Sequence, residues 1–263
     1  MDIKNELTFD LPVKYKSLLL YPVTVKDYTT LSYTSSCLKT DKNSIPDAKF
    51  IKMSELEYLY YVSQNDSNLP YVLFLDRLLS LVLKDDPSFE DIASSIRRFK
   101  YRTNDNKPVF IIGEQEYDAD DFIEIKKIIA EQNEIDLIDT NISKEVRDSF
   151  EKAKQYKQRI SGGKAASLED YIVGISIATG WALDYIYSMP VRKFQKALAR
   201  LDNLIHYKIY LAASMSGMVS FKDKSFIKHW LSNLDAKDKY ADVSVNLDAL
   251  QDKISLESAK KSN

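Results

Sequence analysis

The chain has 263 residues, 44% of them apolar and 29% charged, with a net charge of −2 and a pI near 5.8. That length is ample for a buried core in one large domain or two smaller ones. The near-neutral balance lacks the basic excess of a dedicated nucleic-acid binder, and one cysteine, Cys37, leaves no internal disulfide and no thiolate zinc cluster.

No apolar run reaches the roughly 18–20 residues of a membrane span, and the opening MDIKNELTFD lacks the charged-then-apolar pattern of a signal peptide. The expectation is a protein of a reducing cytoplasm with no membrane segment. Tyrosine is abundant, with 17 copies. Each supplies a large apolar ring with a polar tip, suited to cores and contact surfaces alike.

In chain order, LTFDLPVKYKSLLLY (7–21) holds two short apolar runs about a Pro-containing polar turn and predicts a hairpin. Thr24 stands at the N-cap of a helix from Val25 to about Leu38. Ser54 is placed to cap a helix over MSELEYLYYVSQ, with Leu56, Leu59 and Tyr60 on one face. Pro70 opens YVLFLDRLLSLVLK, which is apolar nearly all round and so predicts burial. Asp86 and Pro87 start a further short helix, with Ile92 and Ile96 inward. KPVFIIG reads as a strand that turns at Gly113 and Glu114 and returns along EQEY. Asp118 or Asp120 then caps a helix whose Phe122, Ile125, Ile128 and Ile129 form one stripe, with Asn133 as its left-handed stop.

A charged stretch with few anchors leads to SGGKAASLED (161–170), which poses a choice. A phosphate-binding loop needs G-x-x-x-x-G-K-[ST], but Gln158 stands where the first glycine should be and Ala165 where the hydroxyl should be. The other reading accounts for each residue. Gly162 and Gly163 end one helix as a hinge, and Ser167 caps the next with Asp170 as its capping-box partner. Beyond lie an apolar helix stopped by Gly180 and two turns over WALDYIY. A long helix begins at Ser188–Pro190, with Val191, Phe194, Leu198, Leu201, Ile205, Ile209 and Ala212 spaced by three or four. SFIKHWLSNL predicts a last short helix. The expected fold is mainly α with minor β (α+β), divided as a mixed hairpin and helical region 1–105, a β-hairpin–helix module with a charged helix 106–160, a helical unit 164–234 and a tail 235–263.

The chemistry-bearing residues are sparse. His206 and His229 have no partners at metal-ligand spacing, and Asp202–His206 fits a helical side-chain pair. Cys37 has no local base to make it a nucleophile, and the acid pairs Asp85–Asp86 and Asp120–Asp121 sit at turns and helix starts, where they suit the helix dipole. No catalytic residue, metal site or cofactor is expected. Arg192, Lys193, Lys196 and Arg200 line one helix face, which reads first as a solvated face and only weakly as an acidic-partner or nucleic-acid patch.

Three stretches resemble proteins of tailed phages of Gram-positive hosts. They are the run from IATGWALDYIYSMPVRKFQKALARLDNL to SFIKHW, YPVTVKDY with SIPDAKFIKMSELEYLY, and DADDFIEIKKIIAEQNEID. The family resembled is the phage tail assembly chaperone. That resemblance implies a non-enzymatic helical protein that binds the tape-measure protein in the host cytoplasm and leaves as the tail polymerises. The extra module before the glycine pair is a departure that leaves a structural tail or baseplate subunit of the virion as the alternative. For a chaperone the expected partner groove is Trp181, Tyr185, Met215, Met218 and Trp230 in the helical unit, with self-association as a second mode.

Overall fold

The computed structural model describes residues 3–42, 48–66, 70–84, 97–101, 107–138, 148–149, 152, 166–216 and 229–232. The fold is mainly helical with two small antiparallel sheets, as the sequence predicts. Ile3 heads a short helix α1 (Lys4–Thr8), so the first of the two expected apolar runs, from Leu7, starts as the end of a helix and continues as a turn rather than as a strand. The hairpin starts after Pro12. β1 (Val13–Tyr15) pairs with β2 (Leu18–Leu20) in the register Val13↔Leu20, around a turn at Lys16 and Ser17 with Lys16 in the left-handed region. Burial alternates along β2, and Leu18 and Leu20 enter the core.

After β2 the chain stays extended to Thr24. It then forms a 3-10 turn (Val25–Asp27), α2 (Tyr28–Thr34) and a second 3-10 turn (Ser35–Lys39) where one helix was expected. Thr24 does not cap by accepting a backbone N–H; its hydroxyl donates to Asp27 Oδ2 at 2.9 Å. α3 (Ala48–Lys52), which the sequence reading missed, precedes α4 (Glu55–Asn65). Ser54 closes a full capping box on α4: its Oγ accepts from Glu57 N at 3.1 Å, and Glu57 Oε2 accepts from Ser54 N at 2.6 Å. Leu56, Leu59 and Tyr60 are all buried, as their spacing predicts. α5 (Tyr71–Leu83) buries Leu75, Leu78, Leu79 and Val82, while its other apolar residues are only half-covered.

β3 (Arg97–Tyr101), β4 (Pro108–Ile112) and β5 (Gln115–Tyr117) form the second sheet in that order. β4 and β5 are the predicted hairpin, turned at Gly113 (φ +62°), and β3 is an added partner that the sequence did not announce. Phe110 and Tyr117 stack across β4 and β5 with centroids 5.3 Å apart, both fully buried. Asp118 caps α6 (Ala119–Asn133) in a capping box with Asp121. Phe122, Ile125, Ile128 and Ile129 join one core with residues from β1, β2, α4 and α5, so this core crosses the 105/106 boundary. The short helix expected from Asp86, Gly162 and Gly163 themselves, and the tail from 235 lie outside the described residues, as does the charged helix before the glycine pair except at Asp148, Ser149 and Lys152, which are helical.

Two polar contacts pin the hairpin to α6. Tyr15 Oη donates to Asp121 Oδ1 at 2.7 Å, and Lys16 makes an ion pair with the same carboxylate. Burial pushes the Asp121 pKa up, but the bonds from Lys16 and Tyr15 outweigh it and hold the carboxyl below its usual range. Burial and the bond to Asp121 push the Tyr15 phenol up. Asn133 is the last residue of α6 rather than its left-handed stop, a role taken by Glu134 (φ +52°). Asn133 instead accepts from Val23 N at 2.9 Å and donates to Ile129 O at 2.8 Å, fully buried.

Asn133→Ala leaves the buried Val23 N–H without its acceptor and is expected to cost about 1–3 kcal/mol in urea unfolding. Asp121→Asn is expected to lose a similar amount, about 1–3 kcal/mol at pH 7, because it breaks bonds to a charged group. Because the folded pKa of Asp121 is depressed, its contribution is present above the unfolded carboxyl value near ~3.9 and is lost as pH falls through the lower folded value. The stability gap between wild type and Asp121→Asn should therefore hold from pH 7 to about pH 4 and close below it; a gap independent of pH would contradict this assignment.

Candidate interaction surface

The C-terminal helices are built by strong local signals. Ser167 Oγ accepts from Asp170 N at 3.1 Å, and Asp170 Oδ2 accepts from Ser167 N at 2.8 Å, which starts α7 (Leu168–Thr179) as the capping-box spacing predicts. The Ser167 N–H and hydroxyl hold the Asp170 carboxyl below its usual range. Gly180 ends the helix in the left-handed region (φ +74°), and its N–H returns to Ser176 O at 2.8 Å. α8 (Leu183–Ser188) follows. The last long helix, α9 (Val191–Met215), starts after Pro190; Ser188 does not cap it, since its hydroxyl bonds back to Tyr185 O.

Ile172, Ile175, Ile186, Met189 and Phe194 bury against Val25, with Leu168, Trp181, Ala197, Leu198 and Leu201 packed around them. This helical unit is joined to the N-terminal body. Thr24 and Pro190 form an antiparallel bridge in which Val25 N donates to Met189 O and Val191 N to Val23 O, both at 2.9 Å. Pro190 sits at the position of the bridge that uses no N–H, the place proline tolerates. Val191 lies in the N-terminal core and Val25 in the C-terminal one.

The basic stripe on α9 is engaged at this seam. Arg192 Nη1 donates to Leu7 O at 2.8 Å and its Nε lies 3.3 Å from Glu134 Oε1, which also faces Lys196 at 3.8 Å. Lys193 pairs with Asp10 at 2.9 Å, a bond that raises its pKa. Arg200 donates to Trp230 O at 3.0 Å and Ser232 O at 2.7 Å. A cavity of about 410 Å³ opens between the end of α6 and the start of α9. Lys127, Arg192 and Lys196 face Glu131, Glu134 and Asp136 across it, a balance that selects neither an anion nor a cation.

Of the five expected groove residues, the four that are described are not gathered in one place. Trp181 is half-buried, edge-on to the exposed Tyr185 with centroids 5.6 Å apart. Trp230 lies in a turn at Arg200, where the neighbouring His229 ring packs 5.3 Å from Tyr207; the described part of the expected last helix is not helical. Met215 is 79% exposed at the far end of α9, about 20 Å beyond Leu201 at the helical rise per residue. Met218 lies outside the described residues. What the structure presents instead is broader. The stripe of α9 is covered from Val191 to Leu201, but Ile205, Ile209 and Ala212 continue it into solvent. α7 is covered only on the side of Ile172 and Ile175, while Tyr171, Val173 and Ile177 are exposed.

Reactive groups are not assembled among the described residues. Cys37 is fully buried, and burial pushes its thiol up to about 12. His206 Nδ1 lies 3.4 Å from Asp202 Oδ2 on the exposed face of α9, the helical pair that the spacing predicts. No three His, Cys, Asp or Glu side chains converge as metal ligands, and no helix is long and apolar enough to cross a membrane, among the described residues.

Residues 153–235 match the family model of the YomV second domain, about a third of the chain. The family belongs to Bacillus phage regions, which suggests a phage-derived protein. No curated protein and no solved structure matches the chain.

If the distal half of α9 is a presented surface rather than core, Ile209→Asp should change stability by no more than about 0.5 kcal/mol. Phe194→Ala, in the covered half, should cost about 3–5 kcal/mol. Urea unfolding of both variants checks the contrast.

Proposed function

We propose that this is a non-enzymatic phage tail morphogenesis protein, a tail assembly chaperone whose C-terminal helices hold the tape-measure protein. One observation carries the reading: within a segment matching a phage-region domain, apolar side chains that would ordinarily be buried stand exposed on α7 and along the distal half of α9. Large exposed apolar surface on a folded chain marks a place where another macromolecule sits. A tape-measure protein, as a long helix, would offer repeated apolar stripes to such a surface. The engaged cations of α9 give no support to nucleic-acid binding, since Arg192, Lys193, Lys196 and Arg200 each already have partners within the chain.

Co-expression with the tape-measure protein of the same phage is expected to keep that protein soluble and to yield a co-purifying complex. An insoluble tape-measure protein with no complex would end the chaperone reading. Mass spectrometry of purified particles separates the chaperone from a permanent tail or baseplate subunit: a chaperone is absent from the virion, and a structural subunit is present.

A further inference from the structure

α7 poses a physical question that the fold leaves open. A helix that is apolar on all sides is ordinarily buried on all sides. α7 carries charge only in its first turn, at Glu169 and Asp170, and the rest of LEDYIVGISIAT is apolar or small. Ile172 and Ile175 account for its covered side. Successive helical positions turn by about 100°, which places Val173, Gly174 and Ile177 together on the opposite side and Tyr171 at the edge of the covered one. Tyr171, Val173 and Ile177 are exposed, Ile177 by 79%. Gly174 is a poor helix former in mid-helix, and its φ is not in the left-handed region. A side-chain carbon built there would meet nothing within 4 Å. Among the described residues neither backbone geometry nor packing accounts for this glycine; close approach of a second helix would.

The charge around this face selects the occupant. From Ala165 to Val191 the sequence has three acids, Glu169, Asp170 and Asp184, and no lysine, arginine or histidine. Two copies pairing α7 in parallel would set these acids against each other. Pairing antiparallel would set Glu169 and Asp170 against the negative end of the other helix. Both arrangements are repulsive and nothing on the segment compensates. A partner with basic flanks meets complementary charge in either direction.

We infer that the outward face of α7, formed by Val173, Gly174 and Ile177, is a docking surface for a partner helix whose apolar stripe is flanked by lysine or arginine. The inference deepens the polypeptide-binding reading above and rests on it for the class of partner. Its test is separate. The full-length protein is titrated into a labelled leucine–lysine peptide of about 18 residues with leucines at helical spacing, and into the same peptide with glutamate for every lysine.

The lysine peptide should bind at least about tenfold more tightly than the glutamate peptide, and more weakly as salt rises. Ile177→Asp adds a negative charge, so pure charge attraction predicts tighter binding; docking on the apolar face predicts a loss of about tenfold or more. Gly174→Leu is a better helix former than glycine, so its expected loss of binding cannot come from unfolding α7. Equal binding of the two peptides, or unchanged binding by both variants, overturns the proposal. So does a dimer in sedimentation that Ile177→Asp dissociates, because the occupant is then a second copy. Binding by the peptide together with failure of the tape-measure protein to form a complex removes the tail reading and leaves the α7 surface standing.

Discussion

The antiparallel exchange between Val23–Val25 and Met189–Val191 is the constraint on which the rest of the architecture hangs. It consists of two backbone hydrogen bonds, but each sits beside a valine that enters the other segment's core. Asn133 fixes the same extended stretch from the α6 side by accepting from Val23 N. Paired buried hydrogen bonds contribute about 1 kcal/mol each, and a fully buried valine side chain about 1.5–3 kcal/mol. The exposed pair Lys193–Asp10 lies nearer the 0–1 kcal/mol of surface ion pairs. Packing and backbone pairing therefore set the direction in which α9 leaves the body, and the ion pairs add register rather than strength.

With its start held this way, α9 spends its apolar stripe in two different manners. Phe194, Leu198 and Leu201 cover Ile172, Ile175 and Ile186. Ile205 and Ile209 are exposed and join neither buried cluster among the described residues. α7 has the complementary imbalance: among the described residues Ile172 and Ile175 are covered, while Val173 and Ile177 are exposed. The hinge expected at Gly162–Gly163 lies outside the described residues, yet the helices that follow it are seated on residues that precede it by more than a hundred positions. The apolar surfaces are thus carried on a body joined at its base.

Much of this was legible in the sequence because it is encoded locally. Ser54, Asp118 and Ser167 cap where their side chains predict, Gly113 and Gly180 take the left-handed backbone that the turns require, and the α4 and α6 stripes are buried as spaced. The failures are non-local or ambiguous. The run at Lys4–Thr8 is too short for periodicity to separate helix from strand. Asn133 has the propensity of a helix stop, but its acceptor is claimed by a backbone N–H 110 residues away. The Arg192–Arg200 stripe looked solvated because Leu7, Asp10 and Glu134 are remote in sequence. The groove was assembled from residue types, and of its described members Trp181 and Tyr185 lie at α8, Trp230 beside Arg200 and Met215 at the far end of α9.

Backbone amide hydrogen exchange at Val25 and Val191, compared with the core amides of α6 from Phe122 to Ile129, tests the central claim most directly. If the exchange at Thr24 and Pro190 seats the C-terminal helices on the body, both amides are protected to nearly the level of α6, while amides from Ile209 to Met215 exchange sooner. Val25 and Val191 exchanging orders of magnitude faster than α6 would mean that the seam opens on its own, and the account of a fixed base carrying exposed helices would be wrong.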